Sequence, residues 1–461
     1  MATRPFDLNI EEVLENWEVR HAIREVIANA LDEQLLTSSK EIEISKDQFR
    51  RWHIRDFGRG LRIEHLTLNE DKEKLTSTLP IIGKFGVGLK DALATFHRRG
   101  VEVLIRSSHG TFTLKQVSKH GFDNIITLHV EVDDTPVSIL GTEFVLTGVS
   151  DIEMASARAL FLRFSKETEL DTTPYGAIIR RTPETAKVYI LGVLASEEPN
   201  FLFSYNITSL TEAMKKRLNR ERLNVGRTTY TDRIKTILKS ATSTAVHDEL
   251  VAQVERRAFG DQRDEMQWID ISQLALNLMH QRARVAYVTE EELQTRPDLV
   301  GAAKADGLQV IVVSEQQKEK AEAQAADGGP ELRTLGVYAR EFNESFQYQF
   351  VDPSKLSDNE RAIFALTPRI LGLVDVPPTR PPKVMVSLTM RITSTDTEGV
   401  WDTSLRAIVV KRDCLQSLPR YAGTLLHEAA HATTGAPDVS RALEGVLTQY
   451  LGVISAKALH G

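Results

Sequence analysis

Between positions 11 and 36, Val13, Leu14, Trp17, Ile23, Ile27 and Leu31 recur at helical spacing with polar residues between them, which predicts a long amphipathic helix. The period then changes. Short strands are expected at 41–44 and 52–55, and apolar alternation marks 101–106, 111–116, 125–132 and 142–147, the pattern of an antiparallel sheet. A first domain, residues 1–150, is therefore expected to be an α/β sandwich.

The segment 151–262 predicts a helix at 152–165 and strands at 187–195 and 201–207. It then becomes basic, with Lys215, Lys216, Arg217, Arg220, Arg222, Arg227, Arg233 and Lys235. Such a run reads either as a solvated helix face or as an arm reaching toward phosphates. Residues 263–330 alternate helix (271–282), strand (285–288), helix (290–305) and strand (308–313), a small α/β module that runs through a charged helix into the linker 315–329. The last segment, 331–461, holds the proline-rich PPTRPPK at 377–383, strands at 384–389 and 407–411, a helix at 421–433, a Gly-Ala-Pro-Asp turn and a final helix from 440. The fold class is multidomain α/β (α+β).

A chain of 461 residues, 41% hydrophobic and 26% charged, fits several globular domains. Its formal net charge of −7 argues against a surface devoted to nucleic acid, so that partner is not favoured. One cysteine, Cys414, excludes a disulfide framework and a cysteine-rich metal site. The first twenty residues lack the apolar stretch of a secretory signal, and no run approaches the ~18 to 20 apolar residues of a spanning helix. A protein of the reducing cytoplasm, without a membrane partner, is expected.

Three clusters in the first domain carry candidate chemistry: REVIANALDE at 24–33, DFGRG at 56–60 and GKFGVGLKDAL at 83–93. Glu25 and Asn29, four apart on a helix, share one face. They can orient a water and offer an oxygen to Mg²⁺. Asp56 can accept a hydrogen bond from an exocyclic amine, while Gly58 and Gly60 admit a flat base. Gly83, Lys84, Gly86, Val87, Gly88 and Lys90 offer backbone N–H groups and lysines at a helix start, a phosphate cradle.

Taken in this order, the clusters resemble the gyrase/heat-shock-chaperone/histidine-kinase/MutL (GHKL) ATPase superfamily over residues 10–150. The resemblance implies a Bergerat-type ATP-binding sandwich with Glu25 as general base, Asn29 as magnesium ligand and Asp56 as adenine reader. The glycine loop 83–90 would be the closing lid, and Thr142, in GTEF, would support adenine. It also implies an ATP-dependent homodimer and a transducer-like domain at 151–262, whose γ-phosphate contact would be one of Lys216, Arg220 and Arg222.

The helix GTLLHEAAHATTG holds His427, Glu428 and His431. Imidazoles at i and i+4 project from one helix face and can share one Zn²⁺, with Glu428 beside them to accept a proton. The strand before this helix is expected to be an edge strand able to hold an extended peptide. A catalytic zinc needs a third protein ligand. Glu444, in the following helix, resembles the ligand of gluzincin metallopeptidases and is preferred; Asp438, in the turn, is its rival.

An ATPase and a zinc peptidase in one chain suggest an ATP-controlled protease acting on a protein or peptide, a pairing that fits bacterial stress response or phage defence by association. The alternative is a GHKL switch, chaperone-like or DNA-clamping, whose metal site is not catalytic.

Overall fold

The computed structural model describes residues 4–8, 16–66, 79, 81–83, 88–119, 126–135, 137–218, 225–256, 262–374, 382–391 and 397–460. They divide into two units, Met1–Leu276 and Asn277–Gly461.

In the first unit, seven antiparallel strands form a sheet of order β1-β6-β5-β4-β7-β3-β2. They are β1 (Arg4–Asp7), β2 (Glu43–Lys46), β3 (Trp52–Arg55), β4 (Glu102–Ser107), β5 (Gly110–Ser118), β6 (Ile126–Asp133) and β7 (Thr142–Thr147). Helices α1 (Val19–Thr37) and α2 (Gly88–Arg98) pack together, burying Ile23, Ile27 and Phe96 in one core with Ile105, Phe112, Val130 and Phe144. The predicted helix starts later than its periodicity suggests. Glu18 caps it through a reciprocal pair with His21, leaving Trp17 outside, and Val13 and Leu14 lie outside the described residues.

The same core takes in Met154, Ala157, Leu160, Phe161 and Val193, so burial is continuous past position 150. The helix expected at 152–165 is only Asp151–Arg158, because Phe161 turns inward and bridges to Val193. A five-stranded sheet follows, of order β11-β10-β12-β9-β8, with β8 (Glu169–Thr173), β9 (Gly176–Arg180), β10 (Ala186–Ile190), β11 (Val193–Glu198) and β12 (Phe203–Ile207). The single strand expected at 187–195 is a hairpin. Leu191 and Gly192 both take left-handed backbone (φ 52° and 77°), the geometry of a tight two-residue turn.

The second unit opens on a parallel pair, β13 (Val285–Thr289) and β14 (Gln309–Val313). Between them the expected helix 290–305 is two, Glu290–Thr295 and Pro297–Ala305, divided where Pro297 supplies no N–H. A four-stranded sheet of order β15-β16-β18-β17 then carries the C-terminal region, with β15 (Phe350–Val351), β16 (Lys383–Ser387), β17 (Gly399–Asp402) and β18 (Ala407–Lys411). Helix α3 (Leu418–Thr434) lies on β17 and β18 through Tyr421, Leu425 and Ala429, and α4 (Arg441–His460) follows. The strand expected at the edge, β18, is interior; the edge belongs to β17. Among the described residues no helix is long and apolar enough to cross a membrane.

Candidate functional sites

Glu25, Asn29 and Glu33 follow at four-residue spacing and line one face of α1, a row spanning about 12 Å at 1.5 Å per residue. Its two ends meet the two glycine clusters. At one end, a Cβ on Gly88 would collide with Oε2 of Glu25; at the other, a Cβ on Gly58 would collide with Glu33. Asn29 lies between, its amide donating to the Glu25 carbonyl at 2.9 Å. Gly58 and Gly88, from two clusters distant in the chain, thus both lie against this face of α1.

Asp56 is buried, and its Oδ1 accepts the Gly58 N–H at 2.9 Å and the Thr142 N–H at 3.3 Å. Burial pushes its carboxyl above the usual range, with those N–H groups opposing. Gly141, at φ 80°, lets β7 approach so closely that a Cβ would strike the Asp56 carbonyl. Thr142 Oγ1 accepts the Leu61 N–H at 2.9 Å, and Gly60, at φ 91°, lies against Ser107 and Ser108. Thr142 therefore shapes the Asp56 loop, which carries both Gly58 and Gly60.

Gly83 is held from behind. Both oxygens of the buried Asp32 accept backbone N–H groups, Oδ1 from Ile82 and Oδ2 from Gly83, each at 2.6 Å. Sequence reasoning passed over Asp32, whose signal is that it is a carboxylate on the otherwise buried side of α1. It also passed over the Glu33–Arg59 pair, in which the Arg59 backbone N–H, Nε and Nη2 all donate to one carboxylate. Lys90 departs from expectation: its side chain is buried and Nζ donates to the carbonyl of Leu8, the residue after β1, at 3.3 Å, a bond that holds that residue to α2. Lys84, Gly86 and Val87, with Arg220 and Arg222, lie outside the described residues. A cavity of about 430 Å³ on another side of α1, lined by Leu31, Leu35, Ile82, Phe161 and Arg163 among others, includes none of Glu25, Asn29 or Asp56.

In the second unit, His427 and His431 lie one turn apart on α3 with their Nε2 atoms 3.1 Å from each other. Asp438 Oδ1 is 3.0 Å from the first and 2.9 Å from the second. Three donors about 3 Å apart match the edge of a tetrahedral zinc shell, roughly 3.3 Å for bonds of about 2.0 Å. His431 Nδ1 is 2.8 Å from the Ala436 carbonyl, a bond that places the proton on Nδ1 and turns Nε2 toward the donors. The donor set thus fits a zinc ion.

Of the two candidate carboxylates, the one brought to the histidines is Asp438, the rival in the sequence reading, and not the preferred Glu444. Gly435 ends α3 in left-handed backbone (φ 64°), and the immediate reversal carries Asp438 back across the histidines, whereas Glu444 is exposed in the first turn of α4. The hydrogen bond to His427 is the largest influence holding the Asp438 carboxyl below its usual range. Glu428, on the other side, is buried, which raises its carboxyl. Its Oε2 accepts the Trp401 N–H of β17 at 2.8 Å, and Gly399 passes so close that a Cβ would lie 3.0 Å from Glu428 Cγ. His427, Glu428 and His431 are together a group whose ligand atoms lie within 4.8 Å of one another.

Fold and sites define a multidomain α/β chain carrying a His-Glu-x-x-His helix. A family model described as the Mycoplasma pneumoniae MPN635 N-terminal domain matches residues 152–244, the segment of the five-stranded sheet. A Mycoplasma pneumoniae protein titled uncharacterized is 38% identical over 242 residues, 52% of this chain and 98% of that protein. The chain belongs to the family of that Mycoplasma protein. A second protein of the same organism, also titled uncharacterized, is 29% identical over 150 residues, 32% of this chain and 42% of its own length, so the chain spans less than half of it. Among solved structures, the topoisomerase IV ATP-binding domain of Francisella tularensis in complex with a small-molecule inhibitor is 15% identical, with TM-score 0.21, over 38% of this chain and 62% of that one.

Proposed function

We propose that this chain is a zinc-dependent peptidase under the control of a magnesium-dependent ATPase. The observation that carries the peptidase reading is the meeting of His427, His431 and Asp438 at mutual distances near 3 Å beside the buried Glu428. These three side chains would hold the ion. A zinc ion there would supply Lewis-acid polarisation of a peptide carbonyl. Glu428 would take a proton from the attacking water and return it to the departing amine, its Oε2 fixed by the Trp401 N–H. The ATPase reading is supported by the Glu25–Asn29 face of α1 and by Asp56, buried among backbone donors as a reader of an exocyclic amine should be.

Elemental analysis of purified protein tests the metal site. Near-stoichiometric zinc is expected in the wild type and in Glu444→Ala, with loss in His427→Ala and Asp438→Ala. Zinc lost in Glu444→Ala but kept in Asp438→Ala would reverse the choice of third ligand, and a wild type that takes up no zinc would sink the peptidase reading. A second reading is favoured by the enclosure of Glu428 under β17: a nucleotide-driven switch with a non-catalytic metal site. Glu428→Gln separates the two, since it should keep zinc and ATP turnover while abolishing any proteolysis the wild type performs.

A further inference from the structure

We propose that Arg24 is the positioning residue for Glu25 in ATP hydrolysis, an inference that rests on reading Glu25 as the general base. Arg24 is 2% exposed and ranks among the largest fully buried side chains of the chain. Its Nε and Nη2 both donate to a single oxygen of Glu25, Oε1, at 3.0 and 2.7 Å. Its face lies on the ring of Trp17, with the guanidinium carbon 5.3 Å from the centroid. Trp17 is itself fixed, because its carbonyl accepts from Arg98 at the end of α2 and from Arg99 just beyond.

A guanidinium taken out of water is costly unless it is paired, and here its charge pairs with the side chain expected to do the chemistry. Two charged donors converging on one oxygen hold that oxygen in place. The two oxygens of Glu25 are thereby given different tasks. Oε1 belongs to Arg24, whereas Oε2 faces Gly88 at the start of α2, where the absence of a Cβ leaves room. Oε2 is therefore the oxygen that receives the proton of the attacking water. The remaining nitrogen, Nη1, is buried and has no hydrogen-bond partner among the described residues.

The test is steady-state ATP hydrolysis with ATP binding measured separately, on the full chain with Mg²⁺. Arg24→Met should lower kcat by roughly tenfold to a hundredfold, as expected when a reacting group is misplaced, and leave ATP affinity within about twofold. Arg24→Lys, which keeps the charge and one donor, should recover part of the loss. In a Glu25→Ala background, Arg24→Met should cost nothing further, because it acts through Glu25. An unchanged kcat in Arg24→Met, or an equal further loss in the Glu25→Ala background, overturns the inference while leaving the ATPase reading in place. A wild type that does not hydrolyse ATP, or a Glu25→Ala variant with wild-type turnover, overturns that reading and the inference with it. If Arg24→Met does not fold, Arg24→Lys decides: wild-type kcat in that variant overturns the proposal.

Discussion

Glu265 is wholly buried, and its carboxylate holds the start of β12. The Leu202 N–H reaches both oxygens at 2.8 Å, the Phe203 N–H reaches Oε1 at 3.3 Å, and the Tyr205 hydroxyl donates to the same oxygen at 2.8 Å. Burial outweighs these donors and raises its pKa to about 7. The folded state therefore binds this proton more tightly than the unfolded chain, whose glutamate titrates near 4.3. Stability from this group is fully present below that pH and is lost as pH rises through 7, by on the order of 3 kcal/mol. Denaturant unfolding of the first unit between pH 5 and 8 should show that decline, and Glu265→Ala should flatten it while lowering stability at pH 5, because the backbone donors lose their acceptor. A pH-independent stability for the wild type would show that the carboxylate stays ionised in the fold.

Helix ends and strand edges decided what the sequence revealed. The i, i+4 spacing of His427 and His431, and of Glu25 and Asn29, is a property of one helix, so both pairs were legible before any tertiary structure. The approach of Asp438 to the histidines was not, because its position depends on how the chain leaves α3. Helix geometry says nothing about the turn after Gly435. Likewise β1 and β17, four residues each, are defined by their partners β6 and β18 rather than by their own pattern. The hairpin at Leu191–Gly192 was hidden by an apolar residue in a position that usually prefers Asn or Gly. Lys90 stood in a phosphate-binding pattern, yet its buried Nζ donates to the Leu8 carbonyl across the fold. The turn at Gly435 can be tested as an element. No neighbour would meet a Cβ there, so Gly435→Ala costs only the left-handed backbone, about 1 to 2 kcal/mol. Because relaxing that turn moves Asp438 away from the histidines, zinc affinity measured against a competing chelator should fall while α3 stays helical. Unchanged affinity would mean that the carboxylate is not set by the turn.

At the scale of the whole chain, one route by which ATP would control the proposed peptidase is a coupling between the ATP and zinc sites, and coupling by binding is reciprocal. If ATP changes zinc affinity by some factor, zinc must change ATP affinity by the same factor; a regulatory effect typically lies between about 5-fold and 150-fold. Where control runs by this route, ATP affinity of the Glu25→Ala variant, which removes turnover from the measurement, should differ by at least fivefold between zinc-loaded and chelator-stripped protein. Calorimetric unfolding supplies the companion result. A ligand held by one unit alone raises only that unit's transition, by about 2.7 kcal/mol at a hundred times its Kd, whereas coupled units respond together. Equal ATP affinity with and without zinc, together with two transitions that each follow only their own ligand, would leave an ATPase and a metal site that share a chain but not an equilibrium. Any ATP effect on proteolysis would then act on turnover, through the hydrolysis step proposed for Glu25 and Arg24, and Glu25→Ala would abolish it without disturbing either binding constant.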